Sequence, residues 1–236
     1  MTQTILHQHL GIVDYHAAWQ LQQQLLAQAV ERQRAAQPPV QRFLTCAHPH
    51  VYTLGRNGSR AHLLADEAKL AAIEAQYVPI NRGGDITYHG PGQIVGYPIF
   101  DLNHFFTDIG KYIRYLEEII IRTIAEYDLQ GKRIEGASGV WLTDGVRGER
   151  KICAIGVHLS RWITMHGFAF NVHTDLTYFN HIVPCGITDK GVTSLQAEIG
   201  YEAVDYAHVL ARLLHHTSEV FQAPVLATTD ISLPAL

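Results

Sequence analysis

The chain has 236 residues, with 18 Lys+Arg against 22 Asp+Glu, a formal charge of −4, and 47% apolar against 17% charged residues. This is the composition of a core-forming chain, not a disordered one, and the length fits one large domain, residues 1–236, able to bury about 70–75% of its unfolded surface without a disulfide or metal staple. The mild acidity excludes a general nucleic-acid role, which needs a concentrated basic surface.

In chain order, Asp14 caps a helix through about Ala36, ended by Gln37-Pro38-Pro39. Arg42–Leu54 reads as one or two strands, Asp66–Gln76 as a short helix and Val78–Asn81 as a strand running into a glycine-dense segment. Gln93–Leu102 returns as a strand. Asp108–Asp128 is a helix, because Ile109, Ile113, Leu116, Ile120 and Ile124 recur at three and four residues. Lys132–Ile134, Gly139–Thr143, Arg150–Ser160 and Trp162–Asn171 read as strands, the last two as a hairpin around Ser160-Arg161. A final helix runs from Asp205 to Phe221, and residues 224–236 form a peripheral tail. Irregular alternation with several late strands in succession predicts a mixed α/β (α+β) fold with an antiparallel component, not a doubly wound parallel sheet.

No apolar run approaches the roughly 18 residues of a membrane helix. Met1–Leu10 lacks the basic and apolar regions of a signal peptide. The three cysteines, Cys46, Cys153 and Cys185, show no CxxC spacing, so free thiols in a cytoplasmic protein are expected. The fifteen histidines include the close pairs His7/His9, His48/His50 and His215/His216, but no HExxH and no joined Cys/His frame. His215 and His216 are expected on different faces of their helix, and no metal is expected.

Residues 82–92 read Arg-Gly-Gly-Asp-Ile-Thr-Tyr-His-Gly-Pro-Gly. Four glycines and a proline impose an irregular backbone that a ligand can approach closely. The segment is neither a GxGxxG fingerprint nor a P-loop. A plain hairpin loop is the bland alternative, against which Arg82, Thr87, Tyr88 and His89 supply donors, acceptors and an aromatic wall. Among the thiols, Cys46 lies in an apolar strand and is expected in the core. Cys153 lies two residues after Lys151 on a strand, so both are expected on one face, and by spacing alone they could pass for a reactive pair. Cys185, between Pro184 and Gly186 in a loop, is the other nucleophile candidate.

Taken together, Arg82-Gly83-Gly84-x-x-Thr87-Tyr88-His89-x-x-Gly92-Gln93-x-x-x-Tyr97 resembles the signature of the octanoyltransferases of protein lipoylation. The similarity continues through Lys151-Ile152-x-x-Ile155-Gly156, His166-Gly167-x-Ala169-x-Asn171, Pro184-Cys185-Gly186-Ile187 and Val192-Thr193-Ser194-Leu195, with His48-Pro49-x-Val51-Tyr52-Thr53-Leu54-Gly55 upstream. These blocks span about residues 40–200 in the family's order. The resemblance implies a fold like the catalytic domain of biotin and lipoate protein ligases, a mixed sheet flanked by helices. It implies octanoyl transfer from acyl carrier protein to a lysine of lipoyl-accepting proteins, namely the lipoyl domains of 2-oxoacid dehydrogenases and the glycine cleavage H protein, with no cofactor.

By the same resemblance Cys185 is the nucleophile and Lys151 its partner, while Cys153 matches no catalytic position. Substrate contacts map to Arg82, Gly83, Gly84, Asp85, Ile86, Thr87, Tyr88 and His89, to Ala154, Ile155 and Gly156, and to Gly167, Phe168 and Ala169. The pairing is physically sound: an ammonium beside a thiol favours the thiolate, and a partly desolvated lysine can give up its proton and serve as a base. Arg56, Arg60, Arg147 and Arg150 are candidates for a docking patch. The rival expectations are an ATP-dependent lipoate or biotin protein ligase, a metal-dependent hydrolase, and a non-catalytic module that binds acyl carrier or lipoyl domains.

Overall fold

A computed structural model describes residues 3–183 and 190–233. The elements, in order, are β1 (Ile5–Ile12), α1 (Tyr15–Arg34), β2 (Gln41–Ala47), β3 (Val51–Leu54), α2 (Glu67–Ala72), β4 (Gln76–Pro79), β5 (Ile86–His89) and β6 (Gln93–Ile99). There follow α3 (Ile109–Ala125), β7 (Lys132–Ile134), β8 (Ala137–Asp144), β9 (Gly148–Ser160), β10 (Ile163–Asn171), β11 (Gly191–Val192), α4 (Leu195–Ile199), α5 (Tyr206–Phe221) and β12 (Val225–Ala227).

The larger sheet has the order β12-β1-β2-β6-β10-β9-β8-β7, with β11 paired to β9. β12, β1 and β2 run parallel to one another, and the path from β2 to β7 is antiparallel. A smaller sheet has the order β4-β3-β5. The mixed α/β class with an antiparallel component is therefore observed.

Both faces of the larger sheet are covered, so β6 is buried at every position. Alternation sends Ile94 to a core shared with Leu116, Ile120 and Ile124 of α3 and Val209 and Leu213 of α5, and Val95 and Tyr97 to one shared with Ala18 and Leu21 of α1. The long helices start where aspartates cap them: Asp14 accepts from the N–H of Ala17, Asp108 from Lys111, and Asp205 from Ala207.

Several elements differ from expectation, among them β11 and α4, which were not expected, and β4, which starts at Gln76. β1, sequence Ile-Leu-His-Gln-His-Leu-Gly-Ile, was not foreseen, because its polar residues hide a strand in which His7 and His9 both meet the Thr45 hydroxyl of β2 (2.8 and 3.0 Å). The glycine-dense segment is not one loop: residues 86–89 form β5 of the smaller sheet, and Gly90–Gly92 carries the chain into β6 of the larger one. The tail contributes β12 to the sheet edge, and Gln8 holds its Ile231 through paired side-chain bonds.

Candidate active site

A cavity of about 490 Å³ lies where β5 and residues 82–85 face β6, β9 and β10. Its wall includes Arg82, Gly83, Gly84, Asp85, Ile86, Thr87, His89, Lys151, Ala154, Ile155, Gly156, Gly167, Phe168 and Ala169. Residues remote in sequence, from several elements, thus share one wall. Cys185 lies outside the described residues.

Tyr88 is the exception among the pocket candidates. It is fully buried and packs with Tyr52, Phe179 and Ile182. Its hydroxyl lies 2.7 Å from His50 Nδ1, and its ring stacks on Tyr178 at 4.9 Å. Thr87 and His89 lie on the opposite face of β5 and border the cavity; on Tyr88's own face Ile86 reaches the wall and Tyr88 does not. Tyr15 of α1, Ile109 and Ile113 of α3, and Asn171 also contribute to the wall. They come from elements whose approach no local pattern predicts.

The glycines have a specific task. Gly167 and Gly156 are paired across β10 and β9. A Cβ on Gly156 would lie 2.9 Å from the Gly83 carbonyl oxygen and 3.0 Å from Arg82 Cδ. A Cβ on Gly167 would lie 2.2 Å from the Gly96 carbonyl oxygen. Gly156 thus lets the arginine-glycine turn sit directly on β9, where the N–H of Gly83 donates to Val157 O at 2.9 Å. Close backbone approach explains these residues.

Lys151 and Cys153 do not share a face. Val140 pairs with Cys153 but Trp141 with Lys151, so β9 carries an extra residue, Ile152, opposite β8. This bulge breaks the alternation. Cys153 is driven into the core among Ile152, Val140 and Phe170, where burial pushes its thiol pKa far up. Lys151 remains on the cavity wall, with Nζ 4.6 Å from the centre of the Trp141 ring. Gly139 makes the bulge feasible: its φ is +120°, and a Cβ there would lie 2.4 Å from Cys153 O. Its N–H is held by the fully buried Glu117 carboxylate at 3.1 Å. Cys46 is also buried, beside His48.

A directional chain of buried hydrogen bonds links the arginine-glycine turn to Lys151. Arg82 donates to the hydroxyl oxygen of Thr53 at 2.9 Å, which leaves that hydroxyl's proton for His89 Nε2 at 3.2 Å. His89 then carries its proton on Nδ1 and donates to Gln93 Oε1 at 3.0 Å. Gln93 donates to Asn171 Oδ1 at 2.8 Å, and Asn171 donates to the Thr193 carbonyl at 2.9 Å. Thr193, immediately after β11, donates its N–H to Lys151 O at 2.9 Å. Its hydroxyl donates to Glu198, which Arg150 grips with two bonds of 2.7 and 2.8 Å. Arg150 is therefore buried and paired, not part of a docking patch.

Three buried histidines meet at the same end. Burial holds His89 well below the usual imidazole range, reinforced by His48 and Arg82. Burial brings His48 down to about 4 and His166, which also faces Arg82, down to about 3. All three are neutral near pH 7; Lys151 and Arg82 are the lysine and arginine side chains on the wall among the described residues.

The comparisons agree with this architecture. The family model described as the lipoyl protein ligase A/B catalytic domain matches residues 14–218. An octanoyltransferase of Cytophaga hutchinsonii is 51% identical over 235 residues, 96% of each chain. One of Flavobacterium psychrophilum is 52% identical over 233 residues, covering 96% of this chain and 100% of that one. Among solved structures, the bi-partite lipoate protein ligase of Thermoplasma acidophilum superposes with a TM-score of 0.69 at 16% identity, over 98% of this chain and 88% of that one. A lipoate-protein ligase A bound with ATP gives 0.63 at 15%, over 98% and 90%. At such identities the structures share the fold with this chain. Matched over nearly its whole length, the chain belongs to the lipoyl protein ligase A/B catalytic-domain family, alongside the octanoyltransferases, and is an acyltransferase.

Proposed function

We propose that the chain moves an octanoyl group from octanoyl-acyl carrier protein to the ε-amine of a lysine on lipoyl-accepting domains, through a thioester on Cys185. The observation that carries this reading is Lys151 on the wall of a largely apolar cavity bordered by the arginine-glycine turn. Such a cavity suits an acyl chain at one end and a reacting carbonyl near a cation.

In the first half-reaction the Cys185 thiolate attacks the thioester carbonyl, and the tetrahedral intermediate expels the carrier's thiolate, which takes a proton from Lys151. In the second, the acceptor amine attacks the octanoyl-cysteine carbonyl and loses a proton to Lys151. The Cys185 thiolate departs and an amide remains. Thioester to amide runs downhill, so no ATP is consumed. We assign the proton shuttle to Lys151, the amine on the cavity wall that the family resemblance pairs with Cys185. The oxyanion needs N–H donors. Gly83 N–H is engaged by Val157 O, which leaves Gly84 and the backbone beside Cys185. We take the acceptors to be the lipoyl domains of 2-oxoacid dehydrogenases and the glycine cleavage H protein, and the compartment to be the cytoplasm. Among the described residues no helix is long and apolar enough to cross a membrane.

The test is transfer to a purified lipoyl domain, followed by peptide mapping. Octanoyl-lysine is expected from octanoyl-carrier protein alone. Transfer only from free octanoate with ATP would make the chain a ligase instead.

A further inference from the structure

His215, His216 and Glu219 lie on one turn of α5 and take no part in the cavity. Adjacent histidines differ by about 100° around a helix, and a residue four positions after the first returns to about 40°, between them. Glu219 therefore projects between the two rings, and side chains expected on different faces converge upon it. His216 Nδ1 lies 3.1 Å from Glu219 Oε2, and His215 Nε2 lies 3.3 Å from Glu219 Oε1. One donor atom from each of the three residues falls within 4.8 Å of the others.

Ligands about 2.1 Å from a tetrahedral ion stand about 3.4 Å apart, close to the two separations seen here. The far nitrogen of His216 is already held: Nε2 lies 2.6 Å from Glu126 Oε1, and Glu126 is gripped by Arg212 at 2.7–2.9 Å. A carboxylate on the outer nitrogen is the arrangement that fixes the ring of a metal-binding histidine and raises its basicity. His216 itself is 8% exposed, whereas the side chains of His215 and Glu219 are about half exposed, so an ion would be reachable from solvent. The competing cation is Arg122, 3.7 Å from Glu219, which has a closer partner of its own in Glu118 at 2.9 Å.

We propose that His215, His216 and Glu219 form a binding site for a late first-row divalent cation, with solvent in the remaining position. Two imidazoles and one carboxylate suit Zn²⁺, Co²⁺ or Ni²⁺ better than Mg²⁺ or Ca²⁺. The ion would tie α5 to Glu126, just beyond the end of α3, and the site is independent of the acyl-transfer reading.

Chelator-stripped protein titrated with Zn²⁺ should take up about one equivalent and melt at a higher temperature. Glu219→Gln and His215→Ala, changes at half-exposed positions, should each weaken binding at least ~10-fold and remove the shift. Co²⁺ should bind without a thiolate charge-transfer band, and ¹⁵N spectra should show both imidazoles responding. Absence of saturable binding, binding unchanged in both variants, or a thiolate band would each overturn the proposal.

Discussion

Asn171 donates its side-chain N–H to the carbonyl of Thr193 at 2.9 Å, and Thr193 returns its own N–H to the carbonyl of Lys151 at the same distance. The end of β10 thereby anchors the start of the chain after β11 to the strand that carries the cavity's lysine. Asn171 and Thr193 are both buried, so neither partner can turn to water when the other is removed.

Asn171→Asp keeps the acceptor for Gln93 but places carboxylate oxygen against the Thr193 carbonyl. A loss of about 1–3 kcal/mol in urea unfolding is expected, together with a fall in the rate of acyl transfer larger than any change in KM. Gln93→Ala and Asn171→Ala should be non-additive in that rate, because they remove links of one chain. Additive effects would show that the two residues act separately.

Gly156→Ala tests the seat of the arginine-glycine turn. The new methyl would meet backbone at 2.9 Å, and relief requires lifting residues 82–83 off β9. A destabilisation of about 1–3 kcal/mol is expected, with transfer reduced at least ~10-fold, since misplaced substrate contacts cost rate steeply. Gly145→Ala, where nothing lies within 4 Å of the added methyl, is the control and should leave both quantities unchanged.

The bulge at Ile152 separates the roles of its neighbours. Lys151→Ala should lower transfer by roughly 10²-fold or more with little change in melting temperature. Cys153→Ala should do the opposite, costing about 1 kcal/mol of stability for a lost core side chain while transfer persists. Activity lost with Cys153 and kept without Lys151 would reverse the assignment.

The depressed histidines set a pH dependence of stability. A histidine whose pKa is lowered on folding binds fewer protons folded than unfolded, so stability is fully present above the unfolded value of about 6.5 and declines as pH falls toward the folded value. For His48 that window ends near pH 4 and for His166 near pH 3. Each contributes a slope of up to about 1.4 kcal/mol per pH unit within it. Chemical denaturation at pH 7, 6 and 5 should show the decline, and His48→Gln should flatten it. A stability unchanged from pH 7 to 5 would mean these imidazoles gain water on protonation.

Much of this arrangement is legible in the sequence because its causes are local. Asp14, Asp108 and Asp205 announce helices that begin one residue later, and the isoleucine spacing of α3 shows its buried stripe. β1 is not legible, because strand and loop look alike when His7, Gln8 and His9 interrupt the apolar pattern, and its pairing with β2 and β12 is long-range. The burial of Tyr88 away from the cavity wall is not legible, because the face of a strand hidden in a glycine-rich stretch depends on where pairing starts. The separation of Lys151 from Cys153 depends on one inserted residue, which only the register with β8 reveals. Gln93 and Asn171 stand in the motifs that carry the family resemblance, yet their bond is a tertiary fact, spanning 78 residues.

The measurement closest to the central claim is the intact mass of the protein after exposure to octanoyl-acyl carrier protein without ATP. One octanoyl adduct is expected, located by peptide mapping on Cys185, absent in Cys185→Ser and discharged when a lipoyl domain is added. An adduct that survives Cys185→Ser, or transfer that proceeds only with ATP, would contradict it.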